Sequence, residues 1–147
     1  MKLRKFAWCT LLALAAPALA DDKTPYTQQQ VLDFIKAAGW EICDSARNDP
    51  PANVTGATAK HLVQVGKPCD DASKAKPNVL FAFEFDNSAN RDKAVGMFEA
   101  TYHAAIIEEG SAWPIGERFA IFASGPAHQL VHDSLDAQLA KMKATQK

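Results

Sequence analysis

The sequence predicts an α+β domain: a two-layer sandwich in which a small mixed or antiparallel sheet is covered by about three helices, after a cleaved signal peptide. The stretch from Asn78 to Ala123 reads strand, helix, strand and is the most apolar and most regularly patterned part of the chain. Amphipathic helix patterns precede and follow it. Short segments of β-type composition lie upstream of it. We therefore expect one sheet with its helices layered on one face.

The connection between the two central strands leaves two sheet arrangements open. A strand–helix–strand crossover of this length would make the strands parallel, with a right-handed connection. An intervening hairpin strand near Trp113 to Ile115 would instead make them antiparallel, in a ferredoxin-like arrangement.

The N-terminus has the three parts of a secretory signal peptide. Three basic residues fall within the first five positions, an apolar run follows from Phe6 to Ala16, and a small-residue site ends at Ala20. The apolar run is shorter than the roughly 20 residues that a membrane-spanning helix needs. The pattern predicts cleavage after Ala20, a periplasmic or secreted location and no membrane anchor after cleavage.

The chain that remains after cleavage, residues 21–147, has the size of a single domain with a substantial core. Removal of the signal leaves 13 basic and 17 acidic residues, a formal charge of −4 with His neutral. A nucleic-acid binder or a protein that binds anionic membranes would need clustered positive charge. The composition therefore argues against both classes.

Two cysteines, Cys43 and Cys69, lie outside the signal segment. In an oxidising compartment an isolated pair is expected to form one disulfide. The rival interpretation, a catalytic thiol with a histidine partner, has no local signature here. We predict the disulfide, which would stabilise the fold by roughly 3–4 kcal/mol through the unfolded state.

The first helix is predicted from its cap and its periodicity. Thr27 and Gln30 have the spacing of a capping box, and Gly39 supplies a stop. Apolar residues recur at helical spacing and should form one buried stripe, made of Val31, Phe34, Ile35 and Ala38.

Strands and loops are predicted to alternate between this helix and the central unit. Trp40 to Cys43 has the alternation of a short strand, and Asp44 to Thr58 is a polar loop rich in Pro, Asn and Gly. Ala59 to Val65 has the composition of a second strand, and Cys69 to Pro77 of another loop.

The central unit begins with a strand that carries four large apolar side chains on one face: Val79, Phe81, Phe83 and Phe85. A helix from about Ala89 to Ile107 should cover this face. A strand from Arg118 to Ala123 follows, and a turn at Pro126 leads to a last helix. The stripe of that helix is formed by Val131, Leu135, Leu139 and Met142.

His128 and His132 are four residues apart on the last helix, which is a metal-ligand spacing. A catalytic zinc site needs a third protein ligand, and no H-E-x-x-H motif or nearby third ligand marks one here. The alternative is a pair of histidines that pack beside the apolar stripe.

Trp113 lies in a connection bounded by glycines and is a candidate for a binding loop, together with Trp40. Loops on a rigid scaffold often carry function. The alternative is that Trp113 covers an open end of the core.

These observations favour an exported, disulfide-stapled binding or interaction protein whose partner, a protein or a small molecule, is unknown. No nucleophile–base signature and no cofactor motif is recognisable, so we expect no cofactor. The alternative is a small metal-assisted enzyme that uses His128 and His132 with a carboxylate such as Asp133 or Asp136. A structural part of an envelope assembly is a third interpretation.

Overall fold

The computed structural model describes residues 27–104 and 109–146. The predicted signal peptide and the predicted end of the central helix lie outside these residues. Within the two described segments, helices and strands follow one another as α1 (Gln28–Ala37), β1 (Glu41–Asn48), β2 (Ala57–Gly66), α2 (Asp71–Ala75), β3 (Asn78–Phe85), α3 (Ser88–Ala104), β4 (Gly110–Ile115), β5 (Phe119–Ser124) and α4 (Gly125–Thr145).

The five strands form one sheet in the order β1-β2-β3-β5-β4, and every neighbouring pair is antiparallel. The α+β class and the antiparallel sheet are confirmed. The intervening hairpin strand is present as β4. It forms an antiparallel hairpin with β5, and β5 in turn pairs antiparallel with β3. The order of elements differs from the β-α-β-β-α-β pattern of a ferredoxin-like fold, because β1, β2 and β3 form a consecutive meander.

Helices cover both faces of the sheet, not one as expected. On one face, α1 and α4 pack over a core that includes Leu80 and Ile121. On the other, α3 packs over a second core that includes Phe85 and Phe122. The reason is that β3 and β5 carry apolar side chains at successive positions, so both of their faces require cover. We refer to the two sides as the α1/α4 face and the α3 face.

The local signals of α1 are confirmed. The Gln30 backbone N–H donates to Thr27 Oγ1 (3.4 Å), and Gln30 Oε1 accepts from the Thr27 backbone N–H (2.6 Å), which completes the capping box. Val31, Phe34 and Ile35 are buried against the sheet. Gly39, with φ +94°, follows the helix in a conformation that favours glycine.

Strand β1 is longer than predicted, because residues of the expected loop continue it from Asp44 to Asn48. It lies at the edge of the sheet, and its side chains from Asp44 onward are exposed. An edge strand without a buried face has no apolar alternation from which it can be recognised. Likewise, the short helix α2 occupies part of the second expected loop, where Asp70 Oδ1 caps it by accepting from the Ser73 backbone N–H (2.8 Å).

The predicted disulfide is present between Cys43 and Cys69, whose Cα atoms are 5.2 Å apart. It ties edge strand β1 to the segment that follows β2. The Cys69 backbone N–H also donates to Glu41 Oε2 (3.1 Å). The bridge thus fastens the outer strand, whose side chains contribute little to the core.

Helix α3 is less buried than the other long helices. None of its 17 residues is buried, whereas α1 and α4 each bury several. Ala94 and Phe98 do pack against the α3 face, as partly buried residues. No helix in residues 27–104 or 109–146 combines the length and the apolar character needed to cross a membrane.

Candidate functional site

The two histidines predicted as metal ligands lie side by side on α4, next to strand β4. The ring centroids of His128 and His132 are 4.7 Å apart, with the rings nearly perpendicular. The Trp113 ring lies 6.5 Å from the first and 6.2 Å from the second. His128 Nε2 is hydrogen-bonded to Ser111 Oγ (3.0 Å). The pair therefore packs between α4 and the edge of the sheet.

No group of three or more His, Cys, Asp or Glu side chains that could hold a metal is formed by the part of the chain that the structure describes. His132 lies near two carboxylates, with 3.3 Å from Nδ1 to Asp133 Oδ1 and 3.6 Å from Nε2 to Asp136 Oδ2. Asp136 Oδ1 accepts a hydrogen bond from the Trp113 indole (2.6 Å). The arrangement is a packed polar network at the α4–β4 contact.

Among the residues that the structure describes, the contact between Ser111 and His128 does not extend into a catalytic triad. Burial lowers the pKa of His128, and the neighbouring His132 lowers it further, so the imidazole is neutral at neutral pH. Its Nδ1 is buried and has no hydrogen-bond partner among the described residues. In a Ser-His-Asp triad this atom donates to a carboxylate that orients the base.

Both tryptophans proposed for a binding loop point into the protein. Trp113 lies within strand β4 and is 1% exposed, so its expected position in a loop is corrected. Trp40 lies between α1 and β1, is 7% exposed and donates through its indole N–H to Ser134 Oγ (2.8 Å). Both indoles donate hydrogen bonds to residues of α4. Trp113 thereby joins β4 to this helix, and Trp40 joins the α1–β1 connection to it.

The candidate site that the structure does provide is a groove on the α3 face, with a volume of about 510 Å³. It lies between α3 and the sheet and is bordered at one end by the loop between β1 and β2. Volumes of this size are typical of small-molecule sites, which are mostly apolar with a few polar groups. Its aromatic lining consists of Phe81, Phe83, Phe98, Tyr102 and Phe122.

The aromatic side chains form one connected surface. The Phe122 ring contacts Phe83 edge-on, with centroids 5.5 Å apart, and contacts Phe98 at 5.0 Å. The Phe98 and Tyr102 rings lie 4.4 Å apart. Edge-to-face pairs of this kind hold one another in place. The floor and the α3 wall of the groove are therefore mutually supported.

Two glycines permit the close contacts at the ends of the groove. At Gly56 (φ +76°) a Cβ would lie 2.3 Å from the Asn90 amide nitrogen, so only glycine lets the loop and α3 approach this closely. Asn90 Nδ2 in turn donates to Asp86 Oδ1 (2.9 Å). At the other end, a Cβ on Gly110 would lie 2.7 Å from the Tyr102 ring.

The polar part of the lining is basic or neutral. Lys60 projects from the sheet and Lys93 from α3, while amides and hydroxyls come from Asn53, Thr55, Asn90 and Thr101. The Lys60 ammonium lies 4.7 Å from the centroid of the Phe81 ring, a cation–π contact. No Asp or Glu is among the lining residues, and neither lysine forms an ion pair within the described residues.

The sequence predicts the floor of this groove but not the groove itself. Alternation along β3 places Phe81 and Phe83 on one strand face, and the helical pattern that follows predicts a helix above them. The space that remains depends on how far α3 lies from the strands, which periodicity does not report. The sequence does carry one signal. The α3 positions that face the strands at helical spacing include polar residues beside the apolar ones, namely Asn90, Lys93 and Thr101.

Comparison of the chain with protein-family models, with curated proteins and with solved structures finds no match.

Proposed function

We propose that this chain is an exported binding protein and that the groove on the α3 face is its ligand site. The observation that carries the proposal is an aromatic-floored groove of about 510 Å³ beneath a helix with no buried residue. Met97, at its rim, is 60% exposed. A ligand in the groove would remove this apolar surface from water, and such burial drives association.

The exported location is supported by two independent features. The N-terminal sequence has the pattern of a signal peptide with cleavage after Ala20. The disulfide between Cys43 and Cys69 is a bond that persists in oxidising compartments. The periplasm or the medium would provide such an environment.

Binding is favoured over catalysis by the composition of the groove. Its lining contains no His, Asp or Glu, which most often serve as general bases, and no Ser or Cys to act as a nucleophile. The histidines that motivate the alternative of a metal-assisted enzyme, His128 and His132, belong to α4, which packs on the other face of the sheet. No observation on the described residues favours that alternative.

The neutral apolar dye Nile red tests the groove as a binding site. Met97 and Leu130 are both exposed large apolar residues, on α3 and α4 respectively, and are 60% and 45% exposed. They therefore form a matched pair of variants. We expect the wild type and Leu130→Glu to bind the dye alike and Met97→Glu to bind it much more weakly. Equal dye binding by all three proteins, or no binding by the wild type, would refute the proposal.

A further inference from the structure

We propose that the groove takes a single-chain amphiphile with an anionic head, such as a free long-chain carboxylate. Its headgroup is held by the ammonium groups of Lys60 and Lys93, and its chain lies along α3 over the aromatic floor. This inference rests on the proposed function and specifies the ligand class for the same groove.

The shape of the groove fits a chain. The α3 residues that line it recur at helical spacing from Asn90 to Tyr102, so they form one stripe along the helix. This stretch spans about 18 Å at the rise of an α-helix. The opposite side is formed by the Phe81, Phe83 and Phe122 rings. An extended hydrocarbon chain can contact both sides along this length.

The charge of the groove fits an anionic head. The predicted mature chain is acidic overall, yet its groove carries two lysines and no carboxylate. Asp92, next to Lys93 on α3, is ion-paired with Arg91 (2.6 Å). Asp86, which precedes α3, accepts hydrogen bonds from the side-chain amides of Asn87 and Asn90. A carboxylate between the two ammonium groups would make charge-assisted hydrogen bonds, which are stronger than neutral ones.

A peptide fits this groove less well than an amphiphile. The strands beneath it, β2, β3 and β5, each have a paired neighbour on both sides. Their backbone N–H and C=O groups are therefore used within the sheet and cannot form a ladder with a peptide. The backbone of a buried peptide would depend on a few side-chain amides and hydroxyls, and unpaired polar groups are costly to bury. A hydrocarbon chain has no such groups.

The test uses displacement of Nile red from the full mature protein by three amphiphiles with the same tail. Laurate is anionic, dodecanol is neutral and dodecyltrimethylammonium is cationic. The two ions are kept below their micelle concentrations and dodecanol below its solubility limit. We expect laurate to bind most tightly and the cation most weakly. Added salt should weaken laurate binding and leave dodecanol binding unchanged.

Variants of the two lysines test whether their ammonium groups hold the anionic headgroup. Lys60→Gln and Lys93→Gln should each weaken laurate binding by about tenfold and leave dodecanol binding unchanged. Lys36→Gln, on the exposed side of α1, is the matched control and should behave as wild type. Circular dichroism spectra that match those of the wild type exclude loss of folding as the cause.

Three results would overturn the inference in distinguishable ways. Nile red that binds at Met97 but is displaced equally by all three amphiphiles would refute the anionic head and leave the proposed function intact. Nile red that no amphiphile displaces would refute the chain-like ligand and point to another class, such as a peptide. A wild-type protein that does not bind Nile red would refute the proposed function and this inference together.

Discussion

The indole N–H of Trp113 donates a 2.6 Å hydrogen bond to Oδ1 of Asp136, joining strand β4 to helix α4. Because Trp113 is almost fully buried, loss of its acceptor leaves a polar N–H without a partner. We expect Asp136→Ala to lower the free energy of unfolding by about 1–2 kcal/mol. Urea unfolding followed by tryptophan fluorescence measures this change.

Asp133→Ala is the control for this prediction. The Asp133 side chain is fully exposed and contacts only His132 among the contacts observed within the described residues. Its substitution should change the stability by no more than about 0.5 kcal/mol. Equal losses in the two variants would show that the hydrogen bond to Trp113 has no particular role.

The disulfide between Cys43 and Cys69 should contribute strongly to stability, because it closes a loop with a sequence separation of 26. Chain entropy predicts a loss of about 3.5 kcal/mol when both cysteines are replaced by alanine. Denaturant unfolding of the double variant and of the wild type measures the loss. Dithiothreitol should destabilise the wild type and leave the double variant unchanged, and a similar effect on both would contradict the prediction.

Acid should destabilise the protein through His61, which is 2% exposed in β2 with neither ring nitrogen hydrogen-bonded among the described residues. Burial lowers its pKa, Arg47 lowers it further and Glu84 opposes the shift. Since the folded pKa lies below the ordinary value of 6.5, the unfolded chain binds the proton first as pH falls. The free energy of unfolding should therefore decrease as pH falls below 6.5.

His61→Leu tests this origin of the pH dependence. The side chain lines a small cavity under α1 together with the apolar residues Val31 and Phe119, so leucine suits the site and removes two unpaired polar atoms. We expect the variant to be more stable by about 1 kcal/mol at neutral pH and to lose less stability between pH 7 and pH 5. If the free energy of unfolding of the variant falls with acid as steeply as that of the wild type, other groups cause the effect, and His128 is the first to test.

Two glycines should respond oppositely to alanine. Gly96 lies exposed in α3, with no atom within 4 Å of a new Cβ, so Gly96→Ala should stabilise the protein by about 0.5–1 kcal/mol. Gly110→Ala should destabilise it, because the Cβ would lie 2.7 Å from the Tyr102 ring. Thermal unfolding measures both effects, and a shift of the same sign for the two variants would contradict the packing described for the end of the groove.

Local patterns in the sequence predict the features that depend on local chemistry. The capping box at Thr27, the buried stripe of α1 and the aromatic face of β3 follow from spacing alone, and the disulfide follows from the redox compartment. The full length of β1 could not be predicted, because an exposed edge strand is specified by its backbone pairing with β2 and not by apolar alternation.

Long-range placement accounts for the differences at the site. The glycines and the proline around Trp113 indicate a loop. The segment is nevertheless strand β4, which pairs with β5 and directs the indole toward α4. The division of helices between two faces, and the gap left beneath α3, depend on how elements pack together. Only the apolar residues on both sides of β3 and β5 hint at that division.

The methyl group of Met97 offers the most direct test of the anionic-amphiphile groove. Of the three methionines, Met1 lies in the predicted signal peptide, Met97 lines the groove and Met142 packs against the α1/α4 face. The mature protein, labelled at its methionine methyl groups and titrated with laurate, should therefore give two signals, assigned with Met142→Leu. We predict that the Met97 signal shifts saturably while the Met142 signal does not. An unmoved Met97 signal, or equal shifts of both, would contradict a ligand site in the groove.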